Sequence, residues 1–89
     1  MFNFEITNSF KKDLKVCRKR GMDISKLDFV IQKLLQSEDV SLYKDHPLVG
    51  NWFGHRELHI SPDWLLIYKI ELESNILYAV RTGSHSDLF

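Results

Sequence analysis

Residues 56–82, RELHISPDWLLIYKIELESNILYAVRT, carry three strand patterns divided by two turns. Arg56–Ile60 alternates, with Leu58 and Ile60 on one side and Glu57 and His59 on the other. Ser61-Pro62-Asp63 is a turn and Trp64–Leu72 is strongly apolar, so the pair reads as a β-hairpin. Glu73, Ser74 and Asn75 form the next turn, before a strand over Ile76–Thr82. There Ile76, Tyr78 and Val80 share one face, and Leu77, Ala79 and Arg81 the other. If the purely apolar sets face a helical layer, His59 and Arg81 emerge together on the open face.

Toward the N-terminus, FNFEI (Phe2–Ile6) alternates as a short strand with Phe2, Phe4 and Ile6 on one face. Thr7, Asn8 and Ser9 can cap a helix in which Phe10, Leu14 and Cys17 form the apolar stripe, with Gly21 closing it. Asp23 or Ser25 can cap a second helix with the stripe Leu27, Val30, Ile31, Leu34 and Leu35. The short link between them predicts an antiparallel helical hairpin. The expected fold is therefore a single α+β domain over residues 1–89. Its order is β-α-α-β-β-β, with the hairpin on one face of a small, mainly antiparallel sheet.

Between Gln36 and His55 the periodicity stops, and Pro47, Gly50, Asn51 and Gly54 mark an extended loop. Long loops inside compact domains are usually functional. Tyr43, Leu48, Val49, Trp52 and Phe53 make this one apolar enough to pack down.

An apolar fraction of 44% with 27% charged residues is that of a globular domain. Folding a chain this short leaves a thin core, which favours a shallow groove over a deep pocket. No apolar run is long enough to span a bilayer, and the N-terminus lacks a signal-peptide pattern, so a cytoplasmic, membrane-free protein is expected. A lone cysteine, Cys17, excludes an internal disulfide and a cysteine-rich zinc site. Net charge is zero, yet Lys11–Arg20 holds six basic residues and one acid. Lys11, Lys12, Lys15 and Arg18 there could follow a phosphate backbone, or form only a solvated helix face.

Three of the four histidines, His46, His55 and His59, fall in residues 43–68, and His85 lies in the tail. Asp63, Trp64 and His85 adjoin the ends of the strands that carry His59 and Arg81. Such a rim has the parts for cleaving RNA through its own 2′-hydroxyl. One group removes that proton, another protonates the departing 5′-oxygen, and positive charge steadies the phosphorane. Imidazoles serve either proton-transfer role near neutrality, and a guanidinium suits phosphate. Trp64 and Phe89 offer rings on which bases can stack. Each histidine taken alone is more often structural, and His55, between Gly54 and Arg56, is read that way. Trp52 and Phe53 read as the loop's hydrophobic anchor. His46, His59, His85 and Asp63 include metal-ligand types, but no spacing such as H-E-x-x-H supports a metal, and no cofactor motif occurs.

The runs YKDHPLVGNWFGHRELHISPDWLLIYK and RTGSHSDLF closely resemble those of YafQ-type toxins of the RelE/ParE superfamily. The resemblance implies a RelE-like fold and a ribosome-dependent, metal-independent endoribonuclease cleaving mRNA in the A site. It places the functional set on His46, His59, Asp63, Trp64, Arg81, His85 and Phe89. The expected roles are His85 as general acid, Asp63 as candidate base and Arg81 on the scissile phosphate. His46 and His59 would polarise that phosphate, while Trp64 and Phe89 shape the base site. The implied partners are a cognate antitoxin, the ribosome and mRNA, with operator DNA reached only through the antitoxin. Many relatives are strongly basic, so a neutral chain implies dependence on the ribosome to present substrate. The alternatives are a ParE-like toxin that inhibits gyrase by binding, or an inactive toxin acting only in a repressor complex.

Overall fold

The computed structural model describes residues 1–89. Its elements are β1 (Asn3–Ile6), α1 (Asn8–Lys19), α2 (Ile24–Leu35), β2 (His46–Pro47), β3 (Arg56–Ser61), β4 (Trp64–Glu71), β5 (Ile76–Gly83) and α3 (His85–Leu88). The sheet runs β1-β5-β4-β3-β2, with β1 parallel to β5 and every other pair antiparallel. This is the expected α+β arrangement, with two elements added. The stretch read as a plain loop contains short 3-10 turns at Ser41–Tyr43 and Gly50–Trp52 and the edge strand β2. β2 is two residues long, and one further bond, Leu48 N to the His55 carbonyl at 2.9 Å, continues its pairing with the start of β3. The tail closes into α3, capped at Ser84.

The helices begin and end where their side chains dictate. Thr7 Oγ1 accepts from Phe10 N at 3.0 Å and caps α1, while Asp23 accepts from Ser25 N at 3.1 Å and caps α2. Gly21, at φ 74°, provides the left-handed turn between them. The buried stripes Phe10 and Cys17 of α1 and Leu27, Val30, Ile31, Leu34 and Leu35 of α2 meet Leu58, Trp64, Leu66 and Tyr68 of the sheet. Each fully buried large apolar side chain contributes about 1.5–3 kcal/mol, so this layer dominates the stability.

The face assignment in β5 is the reverse of the one expected from its most apolar set. Leu77 and Ala79, not Ile76, Tyr78 and Val80, join the helix-side core. A bulge then shifts the second half of the strand. Ile67 pairs with Arg81 and Tyr68 with Ala79, so Val80 is an extra residue. Its carbonyl accepts the Thr7 hydroxyl at 2.7 Å. Beyond the bulge Thr82 lies opposite Leu66 on the helix side, and Arg81 lies opposite Ile67 on the other. Arg81 thus reaches the open face through the bulge rather than through simple alternation. On that face Leu65, Ile67 and Leu88 form a second small core, flanked by Leu48, Trp52 and Val80. Trp64–Tyr68 is buried on both sides, which is why that run has no polar alternation.

Candidate active site

Residues opposite one another in a sheet share a face, so the register aligns side chains in rows. One row on the open face is His46, Glu57, Ile67 and Arg81, and the next is His59, Leu65 and Gly83. Gly83 and Ser84 lead into α3, which begins with His85. The ring centroids of His46 and His59 are 6.5 Å apart, those of His59 and His85 5.7 Å, and those of His85 and Phe89 6.4 Å. Trp52 closes the line, edge-on to Phe89 at 6.3 Å. The result is a shallow band of four rings, with Trp52 at its margin.

Two of the histidines are held by oxygens. His46 has Nδ1 2.7 Å from the Lys44 carbonyl and Nε2 3.0 Å from Glu57 Oε2. His85 Nδ1 lies 3.2 Å from Asp63 Oδ1, which also accepts the His85 backbone N–H at 3.3 Å. These two bonds hold the Asp63 carboxyl below the usual carboxylate range. His85 Nε2 makes no hydrogen bond within the chain. His59 makes no side-chain hydrogen bond within the chain.

Glu57 was not among the residues singled out from sequence, although alternation puts it beside His59. It is 5% exposed, and its Oε1 has no hydrogen-bond partner. Glu57, His59 and His85 present ligand atoms within 4.8 Å of one another, a spacing that also suits a metal ion.

Of the other expected site residues, Arg81 shares the open-face row but is tied back to α1, while Trp64 and the basic residues of α1 lie elsewhere. Trp64 is 3% exposed, and its Nε1 donates to Thr82 Oγ1 at 2.9 Å, within the helix-side core. The expectation that it stacks a base is corrected, because the ring underlies the sheet instead of forming a surface. Arg81 grips Asp13 of α1 through Nε at 2.7 Å and Nη2 at 3.1 Å, leaving Nη1 without a partner. Lys11, Lys12, Lys15 and Arg18 line a separate groove along α1 with Asn8 and Leu14. His55 packs edge-on against Trp52, in keeping with a structural role.

The loop before β2 is anchored by Asp45. Its carboxylate accepts from Tyr68 Oη and from Arg56 Nη2 at 2.9 Å and Nε at 3.2 Å. That fixes the backbone immediately before His46.

The chain matches, over residues 2–89, the family described as bacterial toxin of type II toxin-antitoxin system, YafQ. The mRNA interferase toxin YafQ of Escherichia coli strain K12 is 40% identical over 89 residues, covering 98% of this chain and 95% of the relative. A metal-bound toxin from Helicobacter pylori is 42% identical with a TM-score of 0.93, covering 100% of both chains. A chain of the E. coli DinJ-YafQ complex is 38% identical with a TM-score of 0.89, covering 100% of this chain and 99% of that one.

Proposed function

Because the chain belongs to the YafQ family of bacterial toxins from type II toxin–antitoxin systems, we propose that it is an mRNA interferase cutting codons in the ribosomal A site. The 2′-oxygen attacks the adjoining phosphorus and the bond to the 5′-oxygen breaks, leaving a 2′,3′-cyclic phosphate and a 5′-hydroxyl. One proton leaves the 2′-hydroxyl and one reaches the 5′-oxygen, so the step balances.

His59 is the general base. It has no hydrogen bond of its own and stands between two histidines held by carboxylates, and this is the observation that carries the mechanism. His85 is the general acid, its Nδ1 held by Asp63 so that Nε2 is the nitrogen left for the substrate. Asp63 orients this acid; a carboxyl held below its usual range is a poor proton acceptor. His46, bridging the Lys44 carbonyl and Glu57, helps position the phosphate at the far end of the row. Arg81 adds a donor through Nη1 while keeping its fork on Asp13. Phe89, 61% exposed beside His85, is the ring on which a base stacks.

Charge favours a substrate presented by the ribosome. Arg20, Arg56 and Arg81 are each forked to an aspartate. The α1 groove of Lys11, Lys12, Lys15 and Arg18 is the basic surface left to follow a phosphate backbone. A cognate antitoxin is the expected protein partner, in line with the DinJ-YafQ complex of the relative, and operator DNA is reached only through it. No helix is long and apolar enough to cross a membrane; the site of action is the cytoplasm.

Primer extension on mRNA from programmed ribosomes, with purified protein in EDTA, tests this. Cuts confined to the A-site codon, absent from free mRNA and lost in His59→Ala and His85→Ala, are expected. No cleavage by folded wild-type protein would overturn it and leave gyrase inhibition or a purely repressive role.

A further inference from the structure

α1 carries two functional faces, and one of them grips the tail. Asp13, Cys17 and Arg20, at helical spacing, line a cleft of about 220 Å³ with Arg81, Thr82 and Asp87. At its far end Arg20 holds Asp87 with a fork, Nη1 to Oδ2 at 2.6 Å and Nη2 to Oδ1 at 3.1 Å. Asp87 belongs to α3, the helix that begins with His85 and precedes Phe89.

A four-residue helix cannot hold itself, because nucleation costs more than so few hydrogen bonds return. α3 is held from three sides. Leu88 is buried against Leu65 and Ile67. Ser84 and Asp87 form a reciprocal cap, Ser84 N to Asp87 Oδ2 at 2.9 Å and Asp87 N to Ser84 Oγ at 3.2 Å. Arg20 takes the same Oδ2 from the outside, so the carboxylate that caps the helix is itself fixed by α1. Gly83 makes room for it: a Cβ there would lie 3.0 Å from Asp87 Oδ2.

We propose that Arg20 is a positioning residue for the cleavage reaction, acting through Asp87 to set the orientation of α3 and hence of His85. This rests on the assignment of His85 as the general acid. Arg20 touches neither His85 nor the histidine row; its fork selects one seating of the tail. The His85–Asp63 pair cannot do this alone, since both side chains are largely exposed, at 55% and 73%. The Arg20–Asp87 fork is itself partly exposed, at 48% and 28%, so it adds only modestly to global stability and acts mainly on the tail. Arg20 is therefore distinct from the basic residues of the α1 groove, although the sequence places it in the same run.

Two measurements on Arg20→Ala and Arg20→Lys decide this, with the neighbouring Lys19→Ala as control. The first is ¹⁵N relaxation of the Ser86, Asp87 and Leu88 amides in the free toxin, which is independent of activity. Arg20→Ala is expected to bring these amides to loop-like order parameters while the sheet is unchanged. The second is single-turnover A-site cleavage against toxin concentration. The saturating rate is expected to fall about 10- to 100-fold with the half-saturating concentration unchanged, Arg20→Lys recovering part of the loss and Lys19→Ala matching wild type. In a His85→Ala background Arg20→Ala should lower the rate no further, as coupled sites are not additive. Tail amides as ordered as in wild type would overturn the proposal, whatever the activity. So would a rise in half-saturating concentration at a full rate, which marks a direct RNA contact. Full cleavage by His85→Ala with a loosened tail would instead overturn the acid assignment and, with it, the catalytic purpose of the latch.

Discussion

His46 Nε2 lies 3.0 Å from Glu57 Oε2, while Oε1 of the same buried carboxylate has no partner. A desolvated carboxylate with an unmet oxygen is a stability cost, and apolar replacement of buried charge is often neutral or stabilising. Retaining it points to function. Glu57→Leu is expected to keep or raise Tm while A-site cleavage falls at least tenfold, by thermal denaturation beside single-turnover kinetics. A fall in Tm with cleavage intact would remove Glu57 from the site.

Proton-transfer groups and orienting groups should separate by magnitude. His59→Ala and His85→Ala each remove one transfer and are expected to cost about 10²–10⁴-fold in rate. Asp63→Asn keeps an acceptor for the His85 ring and should cost about tenfold, since a lost orienting bond is worth about 1–2 kcal/mol. Single-turnover rates on programmed ribosomes check the order. If Asp63→Asn were as damaging as His59→Ala, Asp63 would be the base after all.

The hairpin and both helices were legible because their signals are local: apolar spacing, capping side chains, and the Ser61-Pro62-Asp63 turn. Parity along β3 also placed Glu57 and His59 on the open face correctly. β5 was not legible, because Ile76, Tyr78 and Val80 look more apolar than Leu77 and Ala79, and the bulge at Val80 leaves no mark in composition. Trp64 was misjudged for a related reason. An aromatic residue next to a catalytic-looking turn reads as a stacking platform until the pairing of Leu66 with Thr82, on the same face as Trp64, shows which way the indole points. The ion pairs Asp13–Arg81 and Arg20–Asp87 join residues more than sixty positions apart. Nothing local announces such pairs, so Lys11–Arg20 reads as one basic stripe when its two faces do different work.

Tyr68 is buried and donates to Asp45, whose other oxygen holds Arg56. Burial and the Asp45 charge push the phenol well up, so it remains a donor at every practical pH. Tyr68→Phe removes one bond to a charged acceptor, and the remaining Arg56 fork limits the loss to about 1.5 kcal/mol. Urea denaturation should show that shift, with a smaller fall in cleavage through loosening of the segment before His46. No change in stability would mean that Arg56 alone anchors this loop.

Trp64 gives the opposite pattern. Trp64→Phe removes the bond to Thr82 Oγ1 and leaves a small void, a loss of about 1–3 kcal/mol. The effect should appear in the urea midpoint, with cleavage at a permissive temperature within a few-fold of wild type. Phe89→Ala should do the reverse, costing little stability and about 1–3 kcal/mol of base stacking. Strong loss of cleavage in well-folded Trp64→Phe would restore the indole to the substrate surface.

Asp87 should make tail-dependent stability acid-sensitive. Arg20 first, then the Ser84 backbone and hydroxyl, hold its carboxyl far below the ordinary value. A group whose pKa is depressed by folding stabilises the native state above its unfolded value, about 3.9 for aspartate, and loses that contribution as pH falls through the folded value. The Tm difference between wild type and Asp87→Asn should therefore be constant from neutral pH down to about 5 and shrink steadily below about 4. Arg20→Ala removes the largest cause of the depression, so on that background the Asp87→Asn difference should be smaller and should fade at a higher pH. Scanning calorimetry of the four proteins from pH 2 to 7 measures both. A difference that stays flat to pH 2 would mean that Asp87 contributes by shape and capping alone, and that its charge does not hold the tail to α1.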